Sequence, residues 1–297
     1  MHRRSKLERA WEFLIEKLIA LSGLACIIFV ILIFTFLVKE GIGVFKTVGL
    51  GEFVGGKAWY PISDPPKFGI LALIWGSLSV TIGAAAISIP LGVASAVYIA
   101  EVAPPKVKEW LKTGIELLAA IPSVVIGFVG MLVVAPFVGD LFNLPIGQTA
   151  LTGSLMLSLM AMPTTVSIAE DAITAVPKGY KEAALALGAT RWEYIWRVCL
   201  RAAGPGIVAA VMLGIGRVIG ETMAVMMITG NAAQIKLSLL VPVRTMTATI
   251  AAEMGETVKG SDHYAALFGI AIVLFAITFI VNLIADAFLQ KGRGGAR

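Results

Sequence analysis

A chain of 297 residues that is 58% hydrophobic and 14% charged, with a mean hydropathy of +0.89, has too little polar surface to coat a soluble fold of its size. The net charge of +5 therefore reads as membrane topology and not as a nucleic-acid footprint, because Lys and Arg favour the cytoplasmic side of a membrane protein. Its two cysteines, Cys26 and Cys199, lie too far apart in the predicted topology to pair, and His2 and His263 form no metal-ligand spacing with them.

Six apolar stretches, 18–38, 70–98, 115–138, 151–169, 205–229 and 264–286, lie near or above the ~20 residues that cross a hydrocarbon core, and all are expected to be helical because a span must satisfy its own backbone. The expectation is an all-α, polytopic membrane protein with six transmembrane helices. The first span follows a basic segment as a signal peptide would. Its apolar run is longer than an ordinary signal core and ends at Leu37-Val38-Lys39 with no small-residue cleavage site, so it reads as an uncleaved anchor. With the N-terminus inside, the basic clusters around Arg3–Lys17, Lys106–Lys112, Lys178–Arg201 and Lys291–Arg297 all fall in the cytoplasm. They hold sixteen of the 24 Lys and Arg residues against seven outside, and both termini are expected to be cytoplasmic.

Residues 1–69 comprise the cytoplasmic N-terminus, the first helix and an extracytoplasmic loop, Gly41–Gly69, punctuated by Gly55-Gly56, Tyr60-Pro61 and Asp64-Pro65-Pro66. Within it, Gly51 to Lys57 matches the first seven positions of a phosphate-binding loop, GxxxxGK. The next residue is Ala58 and not Ser or Thr, and no strand precedes it, so nucleotide binding there is not expected. A five-helix core follows over 70–289, with a short cytoplasmic tail at 290–297. Pro90 and Pro122 fall inside predicted spans and are expected to kink them. For Pro122 and Ser123 a pathway-lining role and an ordinary packing kink both remain open.

Between the fourth and fifth spans lies the polar segment 170–204. Pro177 suits a helix start, Gly188 a helix end, and Thr190-Arg191-Trp192-Glu193 has capping-box spacing for a second helix. On the first helix Tyr180, Ala183, Ala184 and Leu187 recur at i, i+3, i+4 and i+7, a face of mostly small side chains that a partner could grip. On the second, Trp192, Ile195, Trp196 and Cys199 form an apolar stripe suited to the headgroup level. Periodicity alone leaves two readings, an interfacial connector and a docking element.

In the fifth span Arg217 and Glu221 stand at i, i+4 spacing within Gly214–Ala224 and are expected on one helix face. Each charge costs about 2.5–3.5 kcal/mol at a helix centre. Arg217 is a physically sensible oxyanion ligand, since guanidinium stays ionised and offers several donors in a fixed fork. Glu221 would moderate the charge, Thr222 follows it, and Gly214, Gly216 and Gly220 would let neighbouring backbones approach. The alternative is an ion pair locking helices or subunits together. Beyond this span, Asn231–His263 is the longest outer polar excursion. Its Val243–Glu253 portion is expected to be a short helix lying over the core, either as a partner-docking site or as a connector. No HExxH, GxSxG or metal-spaced carboxylate cluster occurs, so neither enzyme chemistry nor a bound cofactor is expected.

Glu182-Ala183-Ala184 followed by Gly188 resembles the EAA loop of ATP-binding-cassette (ABC) importer permeases. The chain departs from that loop downstream, reading Val198-Cys199-Leu200-Arg201 where the family usually has Ile-x-Leu-Pro. Together with Trp59-Tyr60-Pro61, Phe68-Gly69-Ile70, Pro90-Leu91-Gly92, Glu101, Leu117–Gly127 and Gly216–Val225, it resembles the PstC-type permeases of phosphate-specific ABC importers.

The resemblance implies a type I ABC importer permease fold in the cell (inner) membrane and one half of a phosphate pathway. Implied pathway residues are Arg217, Glu221, Thr222, Pro122 and Ser123. Implied ATPase-coupling residues are Tyr180, Glu182, Ala183, Ala184, Leu187 and Gly188. The implied partners are a second, PstA-like permease, two PstB-like ATPase subunits that use the ATP, an extracytoplasmic PstS-like phosphate-binding protein and membrane lipid, with no nucleic acid. Permeases for molybdate, tungstate or sulfate share the loop, and a proton-coupled anion carrier using Arg217 and Glu221 is the rival of another class.

Overall fold

The computed structural model describes residues 6–294 and the side chains of 11–287. The charges at Arg3, Arg4, Lys6, Arg9, Lys291, Arg293 and Arg297 that entered the topology argument lie outside those described side chains.

Helix α1, Lys6–Gly41, is apolar on all sides through its middle and leaves almost every side chain exposed, as a helix solvated by lipid can. It is not solitary, because it packs along the last helix. Phe34 meets Phe275 at 5.2 Å between ring centroids and Phe36 meets Phe268 at 5.5 Å. Two short helices follow, α2 (Val44–Thr47) and α3 (Leu50–Gly55), then a two-residue antiparallel ribbon, β1 (Trp59–Tyr60) with β2 (Lys67–Phe68). This ribbon and an isolated bridge between Gly230 and Val243 are the β-pairings among the described residues, and the rest of the architecture is helical. The phosphate-loop look-alike has become α3, with a helix and not a strand before it, and Gly56 packs on the backbone of Gly69.

Helix α4 spans Leu71–Val97, takes Pro90 without breaking, and widens into a π-helical turn, Tyr98–Val102. The third span differs from its predicted bounds of 115–138. Helix α5, Pro105–Ala120, is amphipathic and buries none of its residues. Ile121 turns extended (φ −69°, ψ 126°), and α6 starts at Ser123. The apolar run is then Ser123–Phe142, comprising α6 (Ser123–Val129), a π-helical turn (Gly130–Val134) and α7 (Ala135–Phe142). Pro122 forces the break, since the residue before a proline is pushed out of the helical region.

Helix α8, Ala150–Thr174, is the most buried element. The polar hairpin follows as α9 (Lys178–Ala186), α10 (Arg191–Glu193), a π-helical segment (Tyr194–Cys199) and α11 (Leu200–Ala202). Helices α12 (Gly204–Gly220), α13 (Met223–Ile228), α14 (Met246–Glu253) and α15 (Asp262–Gly294) complete the chain. Among the described residues five helical runs are long and apolar enough to cross a membrane; the sixth is a bent pair, Arg191–Ala202 with Gly204–Gly220, meeting at 71°.

The centre is built from α4, α8 and α12, which approach closely through small residues. A Cβ on Gly83 would fall 2.2 Å from Ser154 Oγ, and one on Gly214 would fall 2.3 Å from Thr165 Oγ1. Such contacts replace the hydrophobic driving force that lipid removes. The bundle thus has two ends: the hairpin end, with residues 98–108 and 170–204, and the loop end, with 42–70 and 229–263. Helix α14 does not lie over the core as expected. Met246, Thr247, Ala248 and Thr249 are buried in it, and Thr245 Oγ1 accepts from Ala248 N at 3.2 Å as its N-cap.

Candidate functional site

Along α12, Ala210, Gly214 and Val218 are buried, and Arg217, three residues after Gly214, lies at the edge of that face. There it is exposed, about midway along 204–228, in a groove of about 530 Å³ shared with Asn282 and Asp286 of α15. Arg217 makes no hydrogen bond or ion pair among the described residues. A guanidinium left bare to lipid would carry the full insertion cost, so this face needs water, an anion or another chain against it.

The expected Arg217–Glu221 face does not form. Helix α12 stops at Gly220 and Glu221 is extended (φ −68°, ψ 130°). The Glu221 carboxylate instead accepts from Ala224 N at 3.2 Å, capping α13, while its carbonyl accepts from Thr247 Oγ1 at 2.9 Å. Thr222 Oγ1 donates back to Gly220 O at 3.1 Å, a side chain competing for backbone where the helix gives way. Only Gly214 of the three glycines makes a close approach; Gly216 and Gly220 face open space.

The break at Pro122 pairs with this one. A Cβ on Gly127 of α6 would lie 2.8 Å from Ala224 Cα, and one on Gly130 would lie 3.1 Å from the Ile228 side chain. Helices α6 and α13 therefore run parallel, and Pro122-Ser123 and Glu221-Thr222 both precede them, on the side facing the hairpin end. The structure brings these four positions into neighbouring breaks and leaves Arg217 one helical turn before one of them.

At the hairpin end the caps follow the sequence pattern. Pro177 immediately precedes α9, Gly188 is left-handed (φ +83°), and Ala189 N donates to Ala184 O at 3.1 Å to close the turn. Thr190 and Glu193 form the reciprocal capping box. The two predicted faces each divide. Tyr180, Glu182, Ala183 and Leu187 point outward, Leu187 being 89% exposed, whereas Ala184 turns in among Ala96, Ile99, Tyr194 and Ile195. Likewise Trp192 and Trp196 are exposed with their rings 5.7 Å apart, while Ile195 and Cys199 are buried. Each helix of the hairpin has one side in the core and one side exposed, which a single predicted stripe could not express.

Several polar residues assigned no pathway or coupling role above become structural centres. Glu170, 2% exposed near the end of α8, takes Lys108 Nζ at 2.8 Å, Lys112 Nζ at 2.6 Å and Thr174 Oγ1 at 3.0 Å. The bond to Glu170 holds the Lys112 ammonium above its ordinary pKa, against a smaller lowering by burial. Glu101 accepts Lys181 Nζ at 2.7 Å. At the loop end, Glu253 gathers Arg244 Nη2 (2.9 Å), His263 Nε2 (2.8 Å) and the Trp59 indole (3.1 and 3.2 Å). For Glu101 and Glu170 the available signal was a carboxylate just beyond an apolar span; Glu253 lies in a short helix outside the spans and carried no such signal.

Residues 88–293 match the model of the family described as binding-protein-dependent transport system inner membrane component. A probable ABC transporter permease protein, YqgH of Bacillus subtilis, is 39% identical over 84% of this chain and 81% of its own length. The phosphate transport system permease protein PstC of Mesorhizobium japonicum is 35% identical over 81% of this chain and 78% of its own. A crystal structure of a bacterial ABC transporter that imports the acidic polysaccharide alginate contains a chain of the same fold, with a TM-score of 0.63 at 18% identity, covering 95% of this chain and 99% of that one.

Proposed function

Because the chain belongs to the family of binding-protein-dependent transport system inner membrane components, the permease subunits of ABC importers, we propose that it imports inorganic phosphate as one half of a membrane pathway. It is a transport subunit and not an enzyme. The observation that carries the reading is the exposed Arg217 in the last turn of α12, about midway along 204–228 and without a hydrogen bond or ion pair among the described residues, in a chain whose relatives include phosphate permeases. Since that face cannot rest against lipid cheaply, a second, PstA-like permease closes it, and the anion passes between the two with Arg217 as a charged ligand. The helix breaks at Pro122-Ser123 and Glu221-Thr222 line the same path.

The hairpin end, with both termini, lies in the cytoplasm. There Tyr180, Glu182, Ala183 and Leu187 dock onto a PstB-like ATPase pair that hydrolyses the ATP, with Ala184 and Gly188 shaping the helix from within. The loop end receives a PstS-like phosphate-binding protein. Residues 1–69 act as an anchor, 70–289 as the transporting core and 290–297 as a tail.

The test is uptake of radiolabelled phosphate into liposomes holding the assembled complex and its binding protein, with sulfate, molybdate and tungstate as competitors. ATP-dependent accumulation that a tenfold excess of the other oxyanions leaves intact is expected. Carriage of another oxyanion in place of phosphate would overturn the substrate, and uptake without the ATPase subunits would mark a gradient-driven carrier.

A further inference from the structure

Three segments of the hairpin end meet on one residue outside the sites above. Glu101 sits in the π-helical turn that ends α4, a wide turn that re-aims side chains and recurs at functional positions. Its carboxylate, 11% exposed, accepts Lys181 Nζ of α9 at 2.7 Å. Its backbone carbonyl accepts the Arg191 guanidinium of α10. Lys181 also stands 5.5 Å over the buried ring of Tyr194. Both helices of the hairpin are thus fastened laterally to the end of the first core helix.

The chain's own connections to α9 are turns: Ala175-Val176-Pro177 before it, and left-handed Gly188 after it. Turns transmit force poorly along the chain. Among the described residues Lys181 is the α9 side chain that makes an ion pair, while Lys178 and Glu182 make none. Lys181 is 38% exposed, so the bond can open and re-form against water without stranding a buried cation.

The geometry points to Glu101 as a positioning residue of the transport cycle: through its bond to Lys181 it converts displacement of α9 into movement of α4. Since α4 packs along α8 at the centre of the bundle through Gly83 and Gly92, a pull on its end reaches the core helices directly. The assignment rests on the reading of α9 as the ATPase-docking element.

The experiment measures phosphate uptake and ATP hydrolysis in the same liposomes for Lys181→Met, Glu101→Gln, the exchanged pair Glu101→Lys with Lys181→Glu, and Glu182→Ala, all in the complete complex. Lys181→Met and Glu101→Gln are expected to lower phosphate carried per ATP hydrolysed at least fivefold, with hydrolysis within twofold of wild type. The exchanged pair should regain at least half of the loss. A parallel fall of uptake and hydrolysis in Lys181→Met would reduce the bond to a structural one and overturn the proposal. So would an unchanged ratio in Lys181→Met, or an exchanged pair that recovers nothing. If Glu101→Gln fails to assemble, the half-exposed Lys181→Met decides alone. An unchanged ratio in Lys181→Met with a lowered one in Glu182→Ala defeats the role of Glu101 only; unchanged ratios in both defeat the docking role of α9.

Discussion

The two ends of the bundle both use carboxylates as fasteners, but they solvate them differently. At the loop end Glu253 is enclosed with Arg244, His263 and Trp59, and the side chains of Glu253, Arg244 and His263 are each at most 20% exposed. The Arg244 backbone is itself pressed against Gly76, where a Cβ would fall 2.2 Å from its carbonyl oxygen. At the hairpin end Glu170 and Glu101 are sheltered, while their lysines are 30%, 43% and 38% exposed. A cation that can turn to water loses little when its bond opens; one that cannot is stranded. The loop end is therefore built to hold its shape, and the hairpin end to let go and re-form.

The most forceful way to break that contrast is Glu253→Ala, expected to destabilise the protein by about 3 kcal/mol because Arg244 is left unpaired in a sheltered site; thermal unfolding in detergent measures it. Gly76→Ala should follow, at about 2 kcal/mol, since the added methyl meets backbone that cannot move away. Glu170→Gln is expected to cost about 1 kcal/mol, because Lys108 and Lys112 can hydrate, and a loss equal to that of Glu253→Ala would erase the distinction. Thr190→Ala should cost about 1 kcal/mol as a lost N-cap. Smallest in stability is Leu187→Ala, within about 0.5 kcal/mol for an exposed side chain, yet it should weaken ATPase binding in a pull-down of the complex if that face docks.

Apolar length and capping chemistry are local properties, and they placed the helices and the Pro177, Gly188 and Thr190–Glu193 boundaries of the hairpin. What failed were statements that assumed an unbroken helix. Arg217 and Glu221 share a face only if α12 continues past Gly220, and there a glycine with its entropic cost meets a threonine that hydrogen-bonds back to it. The third span was drawn through Pro122 because both flanks are apolar, although Lys106, Lys108 and Lys112 on the preceding helix already marked that helix as amphipathic. The fasteners were harder to foresee. Glu101 and Lys181 lie 80 residues apart, and Trp59 and Glu253 lie 194 apart, so their meeting depends on the packing of whole helices.

The proposed role of Arg217 is to serve the moving anion and not the architecture. Its most direct test compares ATP-driven phosphate uptake and ATP hydrolysis by the complete complex carrying Arg217→Ala with wild type. Uptake is expected to fall at least tenfold while the complex still assembles and hydrolyses ATP; uptake at the wild-type rate would show that Arg217 does not serve the anion.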